Sequence, residues 1–320
     1  MPTPFKNYNP AGVIPACLLP FHEDLSVDFA DYRAHLRDVG GTRGITGITV
    51  NAHASEVSSC EYDEQVAVLA ATMDEIGDRT PVINGVYSDS TLQAVKLAKM
   101  AAAGGASCLL VFPPNVLSRG HAARPECLAD HVRAVAAATD LPLILFQYAQ
   151  ATGLTYPMAT LLELAAEIPT IRAIKDGSAD PTLAEKHVVA LQGLPRPVNV
   201  LSTHSAWLMA SLVTGCAGLL SGSGSVIAEL QVAVFEAVQR KDLAAAQALN
   251  ALIRPTAEAF YAAPSFDMHN RMKEALVMLG RMRRAVVRPP LKMLGEAELG
   301  RIRAAVAAAG LSPRMQLAAE

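Results

Sequence analysis

The sequence predicts an α/β fold, a (β/α)8 TIM barrel followed by a C-terminal helical domain. Eight short segments are almost continuously apolar, as strands buried on both faces must be. Amphipathic helical patterns separate these segments, and the alternation occupies roughly 220 residues, which is the length of such a barrel. After the eighth segment only helical patterns follow. We therefore predict the barrel at residues 10–225 and the helical domain at residues 226–320.

Each element follows from this alternation of patterns. The predicted strands are, in order, Gly12–Leu19, Gly44–Val50, Pro81–Val86, Ser107–Phe112, Pro142–Tyr148, Thr170–Lys175, Val198–Ser202 and Ala217–Ser221. The predicted barrel helices are Ser26–Val39, Asp63–Ile76, Ser90–Ala103, Pro125–Thr139, Pro157–Ile168, Asp180–Gln192 and Ser205–Thr214. The predicted C-terminal helices are Val226–Gln239, Leu243–Tyr261, Met268–Leu279 and Glu296–Ala308. Arg288-Pro289-Pro290 forms a rigid break before the last helix.

A doubly wound open sheet is the structural alternative. Such a sheet normally has a glycine-rich turn after its first strand, where a phosphate binds at the start of a helix. Here that turn is Pro20-Phe21-His22-Glu23-Asp24, which contains no glycine. The first turn therefore favours the barrel.

Composition excludes several classes of function. The chain of 320 residues is 51% hydrophobic and 18% charged, with a net charge of -3, so no basic face for nucleic acid is expected. Five cysteines without a pairing pattern are typical of a reducing compartment. No apolar window is long enough to span a membrane. We expect a cytoplasmic protein with a small-molecule substrate and neither a nucleic-acid nor a membrane partner.

Lys175 is the first candidate for chemistry, because it ends the sixth predicted strand. The carboxyl ends of barrel strands point into the mouth where these folds do their chemistry. A lysine half enclosed by apolar walls has a lowered pKa, and its free amine can attack a carbonyl group. A solvated lysine that merely closes a strand is the alternative.

The loop after the second strand, Asn51 to Ser59, is the second candidate site. Its small residues let a ligand approach the backbone, so the N–H groups around Ala54 and the hydroxyl of Ser55 are predicted to hold a carboxylate. His53 is a candidate general acid or base, because an imidazole with a pKa near about 6.5 can both give and accept a proton. The alternative is a purely structural loop in which His53 forms hydrogen bonds only with neighbouring residues.

The end of the fifth strand supplies the third candidate site. Phe146 and Tyr148 are two residues apart and share a face, whereas Gln147 points the other way. Tyr148 is predicted to relay protons beside Lys175, or else to pack at the barrel rim. Gln147 is a predicted substrate contact.

The fourth candidate site is the stretch Leu219-Leu220-Ser221-Gly222-Ser223-Gly224-Ser225, where the eighth strand ends. Glycine and serine turns before a helix commonly bind anionic groups, especially at this corner of a barrel. Leu220, Ser221 and Gly222 are therefore predicted substrate contacts, for either a carboxylate or a phosphate.

These four stretches, taken in order, resemble the dihydrodipicolinate synthase / N-acetylneuraminate lyase family of lysine-dependent aldolases. Ala52-His53-Ala54-Ser55-Glu56 matches a G-T-T-G-E-like turn, Phe146 through Gly153 a Y-N-x-P-x-x-T-G-like strand end, and Ile174-Lys175-Asp176 an I-K-D/E strand. The resemblance runs from about Gly12 to the Arg288-Pro289-Pro290 segment. It implies a pyruvate-type 2-oxo acid held as an imine on Lys175 without a separate cofactor, a helical C-terminal domain, and a homotetramer or dimer.

Several positions depart from the family pattern. His53 and Ala54 stand where the family turn has two threonines, and Phe146 stands where the family has its proton-relaying tyrosine. Ala151 replaces the arginine that binds the aldehyde's carboxylate in the amino-acid biosynthetic members. The resemblance therefore implies a divergent member rather than dihydrodipicolinate synthase itself. Tyr148 and His53 both remain candidates for the missing relay.

Several functions fit these residues. The preferred one is a class I lyase that makes or breaks a C–C bond of a 2-oxo acid through an imine on Lys175. A dehydratase or deaminase of a 2-oxo sugar acid on the same imine, and a non-catalytic relative that only binds a carboxylate metabolite, are the alternatives. A metal-dependent aldolase is a weaker option, because the spacing of His22, His53, His121 and His204 does not resemble a metal site.

Overall fold

The computed structural model describes residues 5–203 and 205–313 and confirms the α/β class. Eight parallel strands form one sheet in the order β1-β8-β7-β6-β5-β4-β3-β2. Bridges from Val13 to Ile45 and from Ala16 to Thr49 connect the first strand to the second, so the barrel is nearly closed. The strands are β1 Gly12–Pro15, β2 Ile48–Val50, β3 Val82–Val86, β4 Cys108–Val111, β5 Leu143–Gln147, β6 Ile171–Asp176, β7 Asn199–Ser202 and β8 Gly218–Ser221.

The helices follow the strands in the predicted alternation. Seven of them are α1 Phe29–Gly40, α2 Tyr62–Ile76, α3 Thr91–Ala103, α4 Pro125–Ala136, α5 Met158–Glu167, α6 Pro181–Gln192 and α7 Leu208–Thr214. Their starts are set by local chemistry. The side chains of Asp28, Ser90 and Asp180 accept hydrogen bonds from the first-turn N–H groups of α1, α3 and α6.

Four further helices follow β8, namely α8 Gly224–Gln239, α9 Leu243–Phe260, α10 Met268–Met278 and α11 Glu296–Ala308. Helix α8 packs against β1 and β8 and contacts both α1 and α7. It is thus the eighth helix of the barrel ring, although the predicted boundary placed it in the helical domain. Helices α9, α10 and α11 pack on one another, and residues 314–320 at the end of the predicted domain lie outside the described residues.

The strands bury both faces, and each face has a different surrounding. On β6, Ala173 belongs to the apolar cluster inside the barrel, while Ile174 belongs to the cluster between sheet and helices. Because side chains alternate along a strand, Lys175 follows Ala173 to the inside and Asp176 follows Ile174 to the outside. This alternation decides which strand-end residues reach the mouth.

None of the helices within the described residues is long and apolar enough to cross a membrane.

Candidate active site

Lys175 lies at the carboxyl end of β6, inside the barrel, and is 5% exposed. Its Nζ atom lies 4.4 Å from the ring centroid of Phe146, the β5 residue that pairs with it in the sheet. It forms neither a hydrogen bond nor an ion pair with any residue of the described ranges. Burial without an acidic partner lowers the pKa of Lys175 to about 7. A large fraction of this amine is therefore uncharged at neutral pH.

A cavity of about 360 Å³ opens above the lysine. This volume lies within the range of small-molecule sites. The wall combines strand-end residues with residues of the loops and C-terminal helices: Ala16, His53, Ala54, Phe146, Lys175, Gly177, Thr203, Ala206, Gly222, Tyr261, Ser265, Met268, His269 and Met272.

His53 lines this cavity from the loop after β2, where it begins a short 3-10 turn that ends at Ser55. Its imidazole contacts the rings of Phe112 and Phe146 edge-on, with centroid distances of 4.8 and 5.8 Å. Burial, the charge of Lys175 and the neighbouring His269 lower the pKa of His53 to about 3. The near-neutral pKa expected for this histidine is therefore wrong, because the sequence could not show the aromatic rings around it.

Tyr148 follows β5 and hydrogen-bonds through its hydroxyl to Nε2 of His53. Its ring lies 4.1 Å from that of Phe146, which occupies the same side of the strand end. Burial, assisted by Tyr87 and Tyr156, raises the pKa of Tyr148 far above neutrality. The two candidates for the proton relay thus form one pair of neutral groups, and His53 is the member that lines the cavity.

Two of the predicted carboxylate contacts also line the cavity. Ala54 comes from the loop after β2 and Gly222 from the turn after β8. A Cβ atom added to Gly222 would lie 3.7 Å from the Cβ of Ala54, so the two loops meet across the mouth. The N–H group of Ser223, in the same turn, donates to the hydroxyl of Tyr261 at 3.1 Å.

Three other predicted contacts lie behind this wall. The hydroxyl of Ser55 donates to the carbonyl of Cys17, and its N–H group donates to the carbonyl of Ala52. The Ser221 and Ser223 hydroxyls lie 2.9 Å apart, and both Ser221 and Leu220 are fully buried. The structure therefore brings none of Ser55, Leu220 and Ser221 to the cavity surface. Their side chains stabilise the loops that carry Ala54 and Gly222.

The structure also directs Gln147 away from the cavity, as strand alternation predicts, so its predicted role as a substrate contact is wrong. Its side chain accepts from the N–H of Tyr156 at 2.8 Å and donates to the Tyr156 carbonyl at 3.2 Å. Its amide nitrogen also lies 3.3 Å from Nε2 of His187, whose Nδ1 lies 2.8 Å from Asp176. The face of β5 opposite Phe146 points at the helices rather than at the mouth.

The C-terminal helices contribute cavity residues that the sequence did not indicate. Tyr261 follows α9, and Met268, His269 and Met272 come from α10. No local pattern marks them, because only the packing of α10 over the mouth places them there. The one feature in the sequence that could have indicated a functional role is His269, a histidine in a helix whose sequence pattern indicated only a structural role.

Two of the other histidines considered for a metal, His22 and His121, lie apart from this cavity. His22 lies 3.4 Å from Asp28, and His121 lies within hydrogen-bonding distance of the carbonyls of Gly153 and Thr155. His204 lies outside the described residues.

Comparison with known proteins agrees with this architecture. An uncharacterized DapA-like lyase of Halobacterium salinarum is 31% identical over 94% of this chain and 94% of its own. The 4-hydroxy-tetrahydrodipicolinate synthase of Moorella thermoacetica is 30% identical over 93% of this chain and 98% of its own. The crystal structure of YagE, an E. coli K12 prophage protein in complex with pyruvate, superposes with a TM-score of 0.87. It is 23% identical and covers 94% of this chain and 99% of its own.

The match to a family extends over nearly the whole chain. Residues 9–309 match the dihydrodipicolinate synthetase family, a span that includes all eight strands and the helices α1 to α11. With the buried lysine at the end of β6 and the helices packed over the mouth, this match shows that the chain belongs to the dihydrodipicolinate synthetase family.

Proposed function

We propose that this protein is a class I lyase that forms an imine between Lys175 and a pyruvate-type 2-oxo acid and makes or breaks a C–C bond. The observation that carries the proposal is the lysine itself: a buried primary amine with a pKa lowered to about 7, facing the cavity at the barrel mouth. Such an amine is nucleophilic at neutral pH, as imine chemistry requires. Relatives named as lyases and synthases, and the pyruvate complex of YagE, support the same reaction class.

The reaction begins with attack of the Lys175 amine on the C2 carbonyl of the 2-oxo acid. The resulting carbinolamine loses its hydroxyl as water when a proton reaches that oxygen, and an iminium remains. A base takes the proton of the C4 hydroxyl, the C4–O bond becomes a carbonyl, and the electron pair of the breaking C3–C4 bond passes to the iminium, so an aldehyde leaves and an enamine forms. Protonation of the enamine at C3 and hydrolysis of the imine release the 2-oxo acid and regenerate the amine.

The pair of His53 and Tyr148 is placed to move these protons. The phenol is held protonated and the imidazole is held neutral, because burial disfavours the charged form of each. A hydrogen bond joins them, so one member can accept a proton while the other gives one. His53 lines the cavity and is therefore the group that contacts the reacting atoms.

The carboxylate of the 2-oxo acid binds over the backbones of Ala54 and Gly222 at the cavity surface. The two loops touch there, because a Cβ added to Gly222 would lie 3.7 Å from the Cβ of Ala54, and neither residue has a side chain longer than a methyl group to block approach to the backbone. Backbone N–H groups in small-residue turns commonly hold carboxylates. In this proposed pose, C2 of the acid faces Lys175 and the rest of the substrate extends toward the C-terminal helices.

Covalent trapping tests the proposal. Cyanoborohydride with pyruvate or a longer 2-oxo acid should add the mass of the reduced ligand to the peptide that contains Lys175. Lys175→Met should abolish the label, and the exposed Lys186 serves as the control for nonspecific alkylation. EDTA should leave both labelling and turnover unchanged, because the iminium activates the carbonyl. Labelling of another lysine, or of none, would exclude the imine.

Trapping without turnover of any aldol product would instead identify a non-catalytic binder of carboxylate metabolites. Release of water or ammonia in place of an aldehyde would identify a dehydratase or deaminase on the same imine. Assembly into a homotetramer or dimer stays a prediction, and one similar structure is described as a monomeric dihydrodipicolinate synthase variant. The cytoplasmic location also stays a prediction.

A further inference from the structure

His269 is a buried histidine that the proposed imine chemistry does not use. It is the second residue of α10, is 9% exposed and lines the same cavity as Lys175. It also lines an adjoining cavity of about 380 Å³, together with His53, Ser265 and Met268. The imidazole therefore forms part of the wall opposite the strand ends, on the side where a substrate extends away from the lysine.

Neither ring nitrogen of His269 has a hydrogen-bond partner among residues 5–203 and 205–313. The backbone carbonyls of Phe266 and His53 are close enough to oppose the fall of its pKa, but they lie outside hydrogen-bond geometry. A buried polar group without a partner is unfavourable, and most such groups in proteins are satisfied. Of the buried histidines on the outer side of the barrel, His187 has partners at both ring nitrogens and His35 and His131 have one each, whereas His269 lacks both within the described ranges. A ligand would supply the partner that His269 lacks.

The charges of the residues that line the cavity limit the chemical class of the ligand that could contact His269. Burial and the neighbouring Lys273 lower the pKa of His269 to about 4, so it offers one N–H donor and one acceptor without charge. Among the described residues that line the cavity of about 360 Å³, Lys175 alone carries an ionisable amine or guanidinium, and the imine consumes it. Arg288 lines the adjoining cavity, but its guanidinium is bound to Glu64 and to the carbonyls of Leu25 and Ser59.

The basic residues that follow on α10 face elsewhere. Arg271 binds Glu298 and the carbonyls of Ala262 and Pro264, while Lys273 is paired with Glu56. A second carboxylate on the substrate would therefore be buried beside Met268 and Met272 without a cation, which is costly.

We propose that His269 determines specificity for the part of the substrate that becomes the aldehyde, by hydrogen-bonding an uncharged oxygen such as a hydroxyl or carbonyl. The substrate class is then a 2-oxo acid with a neutral, oxygen-bearing chain rather than a dicarboxylate. This inference rests on the proposed imine at Lys175.

The test compares 2-oxo acids that differ only in one chain atom. The first pair is 5-methoxy-2-oxopentanoate and 2-oxoheptanoate, and the second is 6-methoxy-2-oxohexanoate and 2-oxooctanoate. Within each pair an ether oxygen replaces a methylene group. None of the four acids has an oxygen at C4, so neither elimination nor retro-aldol cleavage can occur. The measured quantity is the ligand concentration that gives half-maximal cyanoborohydride labelling of Lys175. Pyruvate and 2-oxoadipate complete the panel.

We expect the protein to favour the ether over the alkyl chain by about 3-fold to 10-fold in at least one pair, as one neutral hydrogen bond allows. His269→Phe should bring that ratio to about one, and His269→Asn, which keeps a donor and an acceptor, should retain part of it. His22→Phe, at a half-exposed histidine outside the cavity, should keep the full ratio. 2-Oxoadipate should label least efficiently.

An ether preference that persists in His269→Phe, no ether preference in either pair, or tighter labelling by 2-oxoadipate than by the neutral acids would overturn the inference. The ratio is taken within one variant, so a general loss of activity in His269→Phe cancels. Failure of pyruvate itself to label Lys175 is a different result: it removes the imine, and the inference with it.

Discussion

Lys175 and Asp176 are neighbours on β6, yet they lie in opposite environments. Both are almost fully buried, at 5% and 4% exposure. Asp176 faces the helices, where it accepts from the N–H of Ser178 and bonds to His187, each at 2.8 Å. Lys175 faces the cavity, where its Nζ atom lies 4.4 Å from the ring centroid of Phe146. One strand thus carries a saturated polar network on one face and an unsatisfied amine on the other.

The difference shows how a barrel separates stability from reactivity. A buried charge with full hydrogen bonding contributes to structure, whereas a buried amine without a partner is held in its reactive, uncharged form at a cost in stability. The Gln147–His187–Asp176 network fixes the ends of β5 and β6 against each other and against α6. It thereby positions Lys175 without contacting the cavity.

The largest expected effect is that substitutions at Asp176 and Lys175 change the free energy of unfolding in opposite directions. Asp176→Ala should lower the free energy of unfolding by about 1–3 kcal/mol for each of the two buried donors it leaves unpaired. Lys175→Met should raise it at pH 7, by at most about 4 kcal/mol, because methionine removes the cost of burying an amine. Denaturant unfolding measures both, with the exposed Lys186→Met as the control. Destabilisation by Lys175→Met would contradict the comparison.

The pH dependence gives a second measure of the same effect. The folded pKa of Lys175 lies near 7, below its ordinary value of 10.5, so the unfolded chain binds more protons between these two pH values. The stability of the parent protein should therefore rise with pH through this window. The advantage of Lys175→Met should be largest below pH 7 and should disappear above about pH 10.5. An advantage independent of pH would show that packing, not the buried amine, causes it.

The next effect concerns catalysis on the cavity face. His53→Ala should lower kcat by at least about 10²-fold, which is the lower end for general acid–base catalysis and corresponds to about 2.7 kcal/mol. Tyr148→Phe should lower kcat less, because Tyr148 reaches the cavity through His53. Steady-state turnover with the best-trapping 2-oxo acid measures both, and the half-exposed His22→Ala is the control. Near-normal kcat in His53→Ala with complete loss in Tyr148→Phe would reverse the assignment.

Strand alternation explains how much of this site was predictable. It placed Lys175 at the mouth, paired Phe146 with Tyr148 on one face and turned Gln147 to the other. The error at Gln147 came from assigning a substrate role to a residue already known to face away. Ser55 and Ser221 show a related limit, because a hydroxyl in a loop is as often used to hold the loop as to bind a ligand.

The remaining features depend on long-range packing. The pKa of His53 is lowered first by burial, and the rings 4.8 and 5.8 Å away that help to bury it belong to Phe112, just after β4, and to Phe146 of β5. His269 reaches the cavity only because α10 packs over the mouth, more than 90 residues along the chain from Lys175. Periodicity assigns the helix but not the surface it covers, so neither feature could be predicted from its own segment.

The smallest expected effect is the pH profile of imine formation. Only the uncharged amine attacks the carbonyl, so the initial rate of pyruvate trapping should fall about tenfold per pH unit below the pKa of Lys175, near 7. Above that pH the rate should level off, because deprotonation is complete. Free Nα-acetyllysine, trapped under the same conditions as a control, should keep gaining reactivity toward about pH 10. If Lys175 instead follows the profile of the free amine, its own amine is solvated, and the two faces of β6 do not differ in polarity and reactivity.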